Sequence, residues 1–396
     1  MKFVLYILFI LLTSNLHSEI VTLNDGRKID LKDDGTFTII SDGESNISNI
    51  QQTIISLLQL SNIDFEYELP DEDNSIILKN LEWIDEGDLH SIEMIKIENL
   101  NEKYFNNFNI NSFNKYEGKI LDSLIIDNWQ IDSSTERFSI EYIEIINLDH
   151  LKINQFYFNN FNDENYLSIL DGLIIDKIIF FNVYSEDDKE QIQFNGIINK
   201  IKNLNIETIQ FDDLFFRNFE FDAKVTQLKI EDFKLNKSTI EEINWDNPNE
   251  DDYLDIFNSI GNIEMSNGEF IYNDVNDLKI KFSTILFGDF NVEYINGSQF
   301  PTKGLIELIG FEIDNNNLTY NEFKEIIGID QLKFNTLFNW EWNRINDRLN
   351  TNLSLVLQNM VELNFNSSFS NNENFDLNSN IQNSEVKLND FSINLI

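Results

Sequence analysis

The chain has 396 residues and a formal charge of −41, from 28 basic and 69 acidic side chains, and it has no cysteine. That charge excludes nucleic acid as a partner, because each phosphate contact needs a Lys or Arg, and it excludes electrostatic attachment to an anionic lipid surface. The missing cysteine excludes disulfides, thiolate catalysis, cysteine–zinc and iron–sulfur sites, and a lipoprotein anchor. With 42% hydrophobic residues the chain can bury a core, and its 14 Gly and 3 Pro are too few for a collagen-like or linker-like polymer.

Residues 1–18 read as a secretory signal peptide. Lys2 is the positive end, Phe3 to Leu12 is an unbroken apolar run, and Thr13 to Ser18 is a polar cleavage region. The run is too short to cross a bilayer core of about 30 Å. The mature chain is expected to start near Glu19 and to carry no transmembrane helix. The next segment, Val21 to Phe37, contains Asp25-Gly26 and Asp34-Gly35 on either side of the alternating Lys28 to Lys32. Asp-Gly accepts the positive φ of a hairpin turn, so the segment predicts strand, turn, strand. It resembles a short segment that follows the signal peptide in many small exported bacterial proteins, which implies export and no activity.

Ile47 to Leu60 carries apolar residues on one helical face behind Ser45 or Asn46 as a cap, which predicts a helix. From Ile92 onward one spelling recurs: apolar, two of any kind, apolar, one, apolar, two, apolar. It begins at Ile92, Leu121, Ile140, Leu170, Ile201, Val225 and, more weakly, Ile260. The inner apolar-x-apolar triplet has strand periodicity. The spelling is close to a leucine-rich repeat, but the spacing of the starts is uneven. The position that such solenoids give to Asn is held by Leu, Trp, Ile or Phe, so their internal Asn ladder cannot form. The sequence therefore predicts a mainly β protein, a long twisted antiparallel sheet with irregular strand repeats. A few short helices interrupt it, at 162–170, at 249–260 behind Asn247-Pro248, and at Tyr320 to Ile327 ahead of Gly328. From Leu332 to Leu388 apolar residues alternate in a series of short runs, which predicts a C-terminal meander with one apolar and one Asn/Asp/Ser face. The expected organisation is a signal peptide at 1–18, a hairpin segment at 19–43, an irregular β-repeat region at 44–260 and the meander at 261–396.

The stretch opening with Gly328-Ile329-Asp330-Gln331-Leu332 resembles the C-terminal half of a class of exported β-rich proteins of alphaproteobacteria. The repeats are similar, in general pattern only, to the repetitive β-groove envelope proteins related to AsmA. The resemblance implies an envelope location, and a sheet that runs on beyond the strand in which this chain ends, at Ile396. It brings no activity.

Nothing in the sequence assembles a catalytic site. His17 leaves with the signal peptide, and His90 and His150 read as strand residues. Ser112 to Lys115 spells Ser-x-x-Lys without its companion motifs, and no phosphate-cradling glycine loop is present. Acidic pairs such as Asp71/Asp73, Asp187/Asp188, Asp212/Asp213 and Asp251/Asp252 read as solvated turns. They match no calcium-loop pattern and offer calcium a weak site at most. The expectation is no enzyme, no cofactor and no resident metal. Dense aromatic runs at 156–161, 180–181 and 211–221 are either core or the wall of an apolar groove, for which Phe181, Phe211, Phe219 and Phe221 are the candidate lining. The expected role is an exported periplasmic or secreted envelope protein, structural or partner-binding, with a carrier of lipid or another apolar ligand on a concave sheet face as the alternative.

Overall fold

The computed structural model describes residues 20–22, 28–31, 37–39, 63–70, 74–101, 118–150, 172–235, 257–272, 278–295, 298–314, 318–327, 332–343, 348–371 and 384–395, apart from single turn residues, and the helical positions 51, 54, 55 and 58. The signal segment, the helix expected at 162–170, the aromatic run at 156–161, Ser112 to Lys115 and the acidic pairs Asp71/Asp73 and Asp251/Asp252 lie outside the described residues, as does most of the helix expected at 249–260, whose described end, Phe257–Ser259, is instead a strand because its backbone pairs with the end of the strand at 221–235. The chain is mainly β, and its strands pair antiparallel, as the alternation predicts. Near the N-terminus β1 (Ile20–Thr22), β2 (Lys28–Leu31) and β3 (Phe37–Ile39) form a three-stranded antiparallel sheet; the two Asp-Gly pairs lie outside the described residues.

The chain forms two compact units. The first comprises residues 1–183, 198–204 and 237–249. Its ladder runs through β4 (Asp64–Glu68), β5 (Ile76–Asp85), β6 (Asp88–Glu98), β7 (Gly118–Asp132) and β8 (Glu136–His150), each antiparallel to the next. β9 (Leu173–Asp187) and β10 (Glu190–Lys202) follow in the chain. One face of this ladder is a dry aliphatic core. Ile76, Leu81, Ile95, Leu124 and Ile126 are 0% exposed. Each such side chain contributes about 1.5–3 kcal/mol by leaving water. The expected helix between 47 and 60 belongs to this core: Ile54, Ile55 and Leu58 are buried, and Gln51 Nε2 donates to the Ser75 carbonyl at 2.7 Å.

The recurring three-residue step has a backbone cause. Asn80, Asn99, Asn128 and Asn147 have φ of 53°, 54°, 51° and 52°, the left-handed region. Asn tolerates that region because its short amide bonds locally, whereas most L-residues pay for it. One left-handed residue turns the pleat by a step, so apolar residues three apart return to the same face. Both strands of a pair take the step together. Leu78 faces Ile95 and Leu81 faces Ile92, which sets Asn80 across from Glu93; Ile95 faces Ile126 and Ile92 faces Trp129, which sets Glu93 across from Asn128. On the solvent face each of three of these amides donates to a carboxylate of a neighbouring strand: Asn128 to Glu93, Asn99 to Asp122 at 2.7 Å, and Asn147 to Asp176 at 2.8 Å. Asn182 in β9, also left-handed, does the same to Glu141. These Asn–carboxylate bonds form a row, while the internal Asn ladder of a solenoid is absent from these strands. The row stands on the outer face, one residue before the apolar position at which a solenoid would hold an Asn inside.

The second unit comprises residues 184–197, 205–236 and 250–396. β11 (Asn205–Asn218), β12 (Phe221–Leu235), β14 (Ile263–Tyr272), β15 (Leu278–Ile295), β16 (Ser298–Asp314), β17 (Leu332–Asn343), β18 (Arg348–Leu357), β19 (Val361–Asn371) and β20 (Ser384–Leu395) pair in that order. The short β13 (Phe257–Ser259) pairs with the end of β12. The same left-handed device recurs at Asp213, Asp232, Asn267, Asp289 and Gly310. Helix α1 (Leu318–Ile327) joins β16 to β17 and ends where the sequence predicts. The C-terminal alternation is a meander: Phe334, Thr336 and Phe338 face Leu357, Leu355 and Leu353 on β18.

Candidate functional site: an aromatic sheet face

In the second unit the apolar positions are filled by rings. Val225, Phe282 and Ile285 are its most buried cluster, at 4%, 4% and 7% exposure, with Leu214, Met265, Phe270, Phe287, Leu308 and Phe311 packed around them. The flat Phe282 ring covers Gly268 on the facing strand: a Cβ built at Gly268 would lie 1.9 Å from the ring. Trp340 covers Gly304 in the same way, at 2.2 Å. Rings then follow one another across the strands, Phe270–Phe282 at 5.4 Å, Phe282–Phe311 at 6.2 Å and Phe311–Phe334 at 5.0 Å between centroids. Towards the β11–β12 turn, Phe216–Phe221 and Phe221–Tyr272 are 5.2 Å and 5.8 Å apart. Such pairs add about 0.5–1.5 kcal/mol to simple burial.

The two units differ in how far this face is withdrawn from water. In the first, Ile126 is 0%, Ile97 1% and Trp129 2% exposed. In the second, Phe211, Phe216, Phe270, Phe334, Phe338 and Trp340 are only half-buried. A row of half-wet aromatics over several strands is a surface able to accept an apolar ligand.

Of the four candidate lining residues, Phe211 and Phe221 lie on this face: Phe211 stands opposite Leu228, and its ring meets Phe194 at 5.1 Å. Phe219 is at the β11–β12 turn and 74% exposed. Phe181 belongs to the first unit and is 45% exposed, beside the left-handed Asn182. Residues that carry the face but escaped the sequence reading are Phe270, Phe282, Phe311 and Phe334. For Phe282 the signal is its cross-strand pairing with Gly268, which only the register reveals. Phe215, next to Phe216, points the other way, with Arg217 over its ring at 5.1 Å.

The polar face shows what the acidic pairs do. Asp187 accepts the backbone N–H groups of Lys189 and Glu190 in the turn after β9, and these bonds hold its carboxyl below the usual range. Asp212 accepts from Gln210 and Gln227. Glu231 is held low by Lys229 and then by Asn262, and Lys229 is raised in return. Burial, followed by the nearby Glu93, raises Asp127. Burial, together with the bond that its hydroxyl donates to Glu144 at 3.0 Å, pushes Tyr142 up to about 12. His90 stacks on Trp83 across the β5–β6 pair, with ring centroids 4.8 Å apart. Among the described residues no three His, Asp or Glu side chains gather as metal ligands, and no helix is long and apolar enough to cross a membrane. No protein-family model, curated protein or solved structure matches the chain.

Proposed function

We propose that the chain is an exported, non-catalytic envelope protein that binds an apolar ligand, the acyl chains of a lipid, on the aromatic sheet face of its second unit. The observation that carries this reading is the contrast in burial. The apolar strand positions of the first unit are dry, whereas in the second unit the aromatic ones around the buried Val225, Phe282 and Ile285 are only half-buried. Exposed rings cost solvation free energy that a ligand recovers on binding, at roughly 25 cal/mol per Å² covered. Acyl chains suit such a face because they need no hydrogen-bonding partner. The chain's charge of −41 opposes anionic surfaces but leaves an uncharged tail indifferent. Export rests on the N-terminal segment read from the sequence.

The test is native mass spectrometry of the chain purified from its producing cells. Added mass in phospholipid-sized steps is expected, and it should disappear in Phe211→Asp or Phe221→Asp. A bare, monomeric mass in the wild type would overturn the ligand reading and return attention to a structural or partner-binding role. Bound calcium would redirect it to the acidic turns.

A further inference from the structure

The aromatic face of the second unit carries hydroxyls, and they are not equivalent. Register puts Thr336, Thr351 and Ser367 on the ring side of β17 to β19: Thr336 faces Leu355, and Thr351 faces both Trp340 and Ser367. Thr302 on β16 shares the side of Gly304, which faces Trp340. Two of these hydroxyls are committed to the fold. Thr302 is buried, accepts from Asn291 Nδ2 at 2.9 Å and donates to the Asn291 carbonyl at 3.2 Å. Thr336 donates to the Ser354 carbonyl at 3.0 Å. Thr351 and Ser367 differ: among the described residues their side chains bond to each other alone, at 2.6 Å. That bond uses one hydroxyl proton of the pair and leaves the second for an incoming acceptor. Both residues are half-buried, as are Phe338 and Trp340 beside them.

Charge is excluded from the positions around this pair. By the same register every charged residue of β16 to β19 takes a position on the opposite side of the sheet: Lys303, Glu307, Glu312 and Asp314 on β16, Lys333 and Glu341 on β17, Arg348 on β18 and Glu362 on β19. β20 follows suit, since Glu385, Lys387 and Asp390 pair with Ser370, Ser368 and Asn366, the residues that alternate with the ring-side positions of β19. A carboxylate laid on the ring side would lose its water and find no cation, which is far costlier than burying an uncharged carbonyl that gains a hydrogen bond. The rings beside the pair supply the length for a chain. Phe338 and Trp340 are 5.3 Å apart, and Trp340 to Phe334 spans six residues of β17, about 20 Å of extended strand. From Phe334 the rings continue to Phe311 and Phe282.

We infer that Thr351 and Ser367 are the polar anchor of the ligand face and that they select an esterified acyl chain over a free fatty acid. The ester carbonyl accepts the uncommitted hydroxyl proton of the pair, and the chain lies along Trp340, Phe338 and Phe334. The inference rests on the ligand reading and gives that ligand its chemical class.

The test is equilibrium dialysis of the full chain against radiolabelled dodecane, methyl laurate and laurate, which share one chain length and differ in the head, at about pH 8, where laurate is ionised. Methyl laurate should bind about tenfold or more tighter than laurate. Thr351→Val/Ser367→Ala, which keeps the shape of the first side chain and removes both hydroxyls, should weaken methyl laurate by about threefold to tenfold, the worth of one hydrogen bond, and leave dodecane unchanged. Thr351→Ser keeps its hydroxyl and should match the wild type. Laurate bound as tightly as its ester, or an ester bound undiminished by the double variant while dodecane still binds, overturns the anchor alone. Equal losses of ester and dodecane also overturn it, because the hydroxyls would then shape the face rather than read the head. A wild type that takes up neither dodecane nor the ester overturns the ligand face itself. Dilauroylglycerol and dilauroylphosphatidylcholine bring the same ester from a neutral and a zwitterionic lipid. The one whose uptake falls in the double variant is the one that reaches the anchor, and if neither falls the anchor is overturned.

Discussion

Gly268→Ala should destabilise the second unit by about 3 kcal/mol, because of Phe282. The glycine does not have a positive φ, so its backbone suits alanine. Taken alone, the exchange should stabilise by about 0.4–1 kcal/mol, through a less flexible unfolded chain. The structure reverses that sign. The new Cβ would lie 1.9 Å, 2.3 Å and 2.6 Å from three Phe282 ring atoms. The ring cannot slide aside easily, with Phe270 and Phe311 centred 5.4 Å and 6.2 Å away and only 4% of Phe282 exposed. Overpacking costs about 1–3 kcal/mol when a ring tilts, and about 3–5 kcal/mol if its packing is lost outright. Relief should be equally clear. In a Phe282→Ala background the clash is gone, and Gly268→Ala should turn neutral or slightly stabilising. Urea unfolding followed by tryptophan emission reads the unit through Trp340 and Trp342 once Trp83, Trp129 and Trp245 of the first unit are replaced by Phe in both wild type and variant. A cost below about 0.5 kcal/mol for Gly268→Ala, or strict additivity in the double variant, would refute the ring-over-glycine account.

The other predictions concern the ladder and the charges. Asn128→Gly should leave urea stability nearly unchanged, while Asn128→Val should cost about 1–3 kcal/mol, because a β-branched residue resists φ of 51°; equal midpoints for the two would count against the left-handed step. Glu269 is held low by Lys279, so it contributes stability above its unfolded pKa, and that contribution fades as pH falls through the acid range. Wild type and Glu269→Gln should therefore converge in melting temperature towards acid pH, and parallel curves would refute the coupling. Asp127 is raised by burial and then by Glu93, so its sign is opposite. Asp127→Asn should gain on the wild type as pH rises above the carboxylate range, and a gain that grows in acid would refute it. Finally, a charge of −41 repels itself within a Debye length of about 10 Å at 0.1 M salt. The melting temperature should rise with ionic strength, and indifference to salt would show the charges to be too dispersed to matter.

The sequence by itself determined the β class, because alternation in runs such as Leu332 to Trp342 fits a strand with one wet face and no other element. It also located α1, through the helical spacing that stops at Gly328, and the N-terminal strand β2, through the alternation of Lys28 to Lys32. The repeat spelling was legible too, but its cause was not. That Asn80, Asn99, Asn128 and Asn147 turn left-handed depends on a carboxylate or partner step arriving from another strand, and pairing is decided by register rather than by neighbours in the chain. The aromatic face divided in the same way. Phe211 and Phe221 stood out as members of aromatic runs. Phe282, Phe311 and Phe334 became neighbours only when β14 to β17 came together. Phe219, which belongs to the same run as Phe221, was carried out to the tip by the Asn218 turn. Composition sets which faces want to leave water; only the tertiary structure decides which of them actually do.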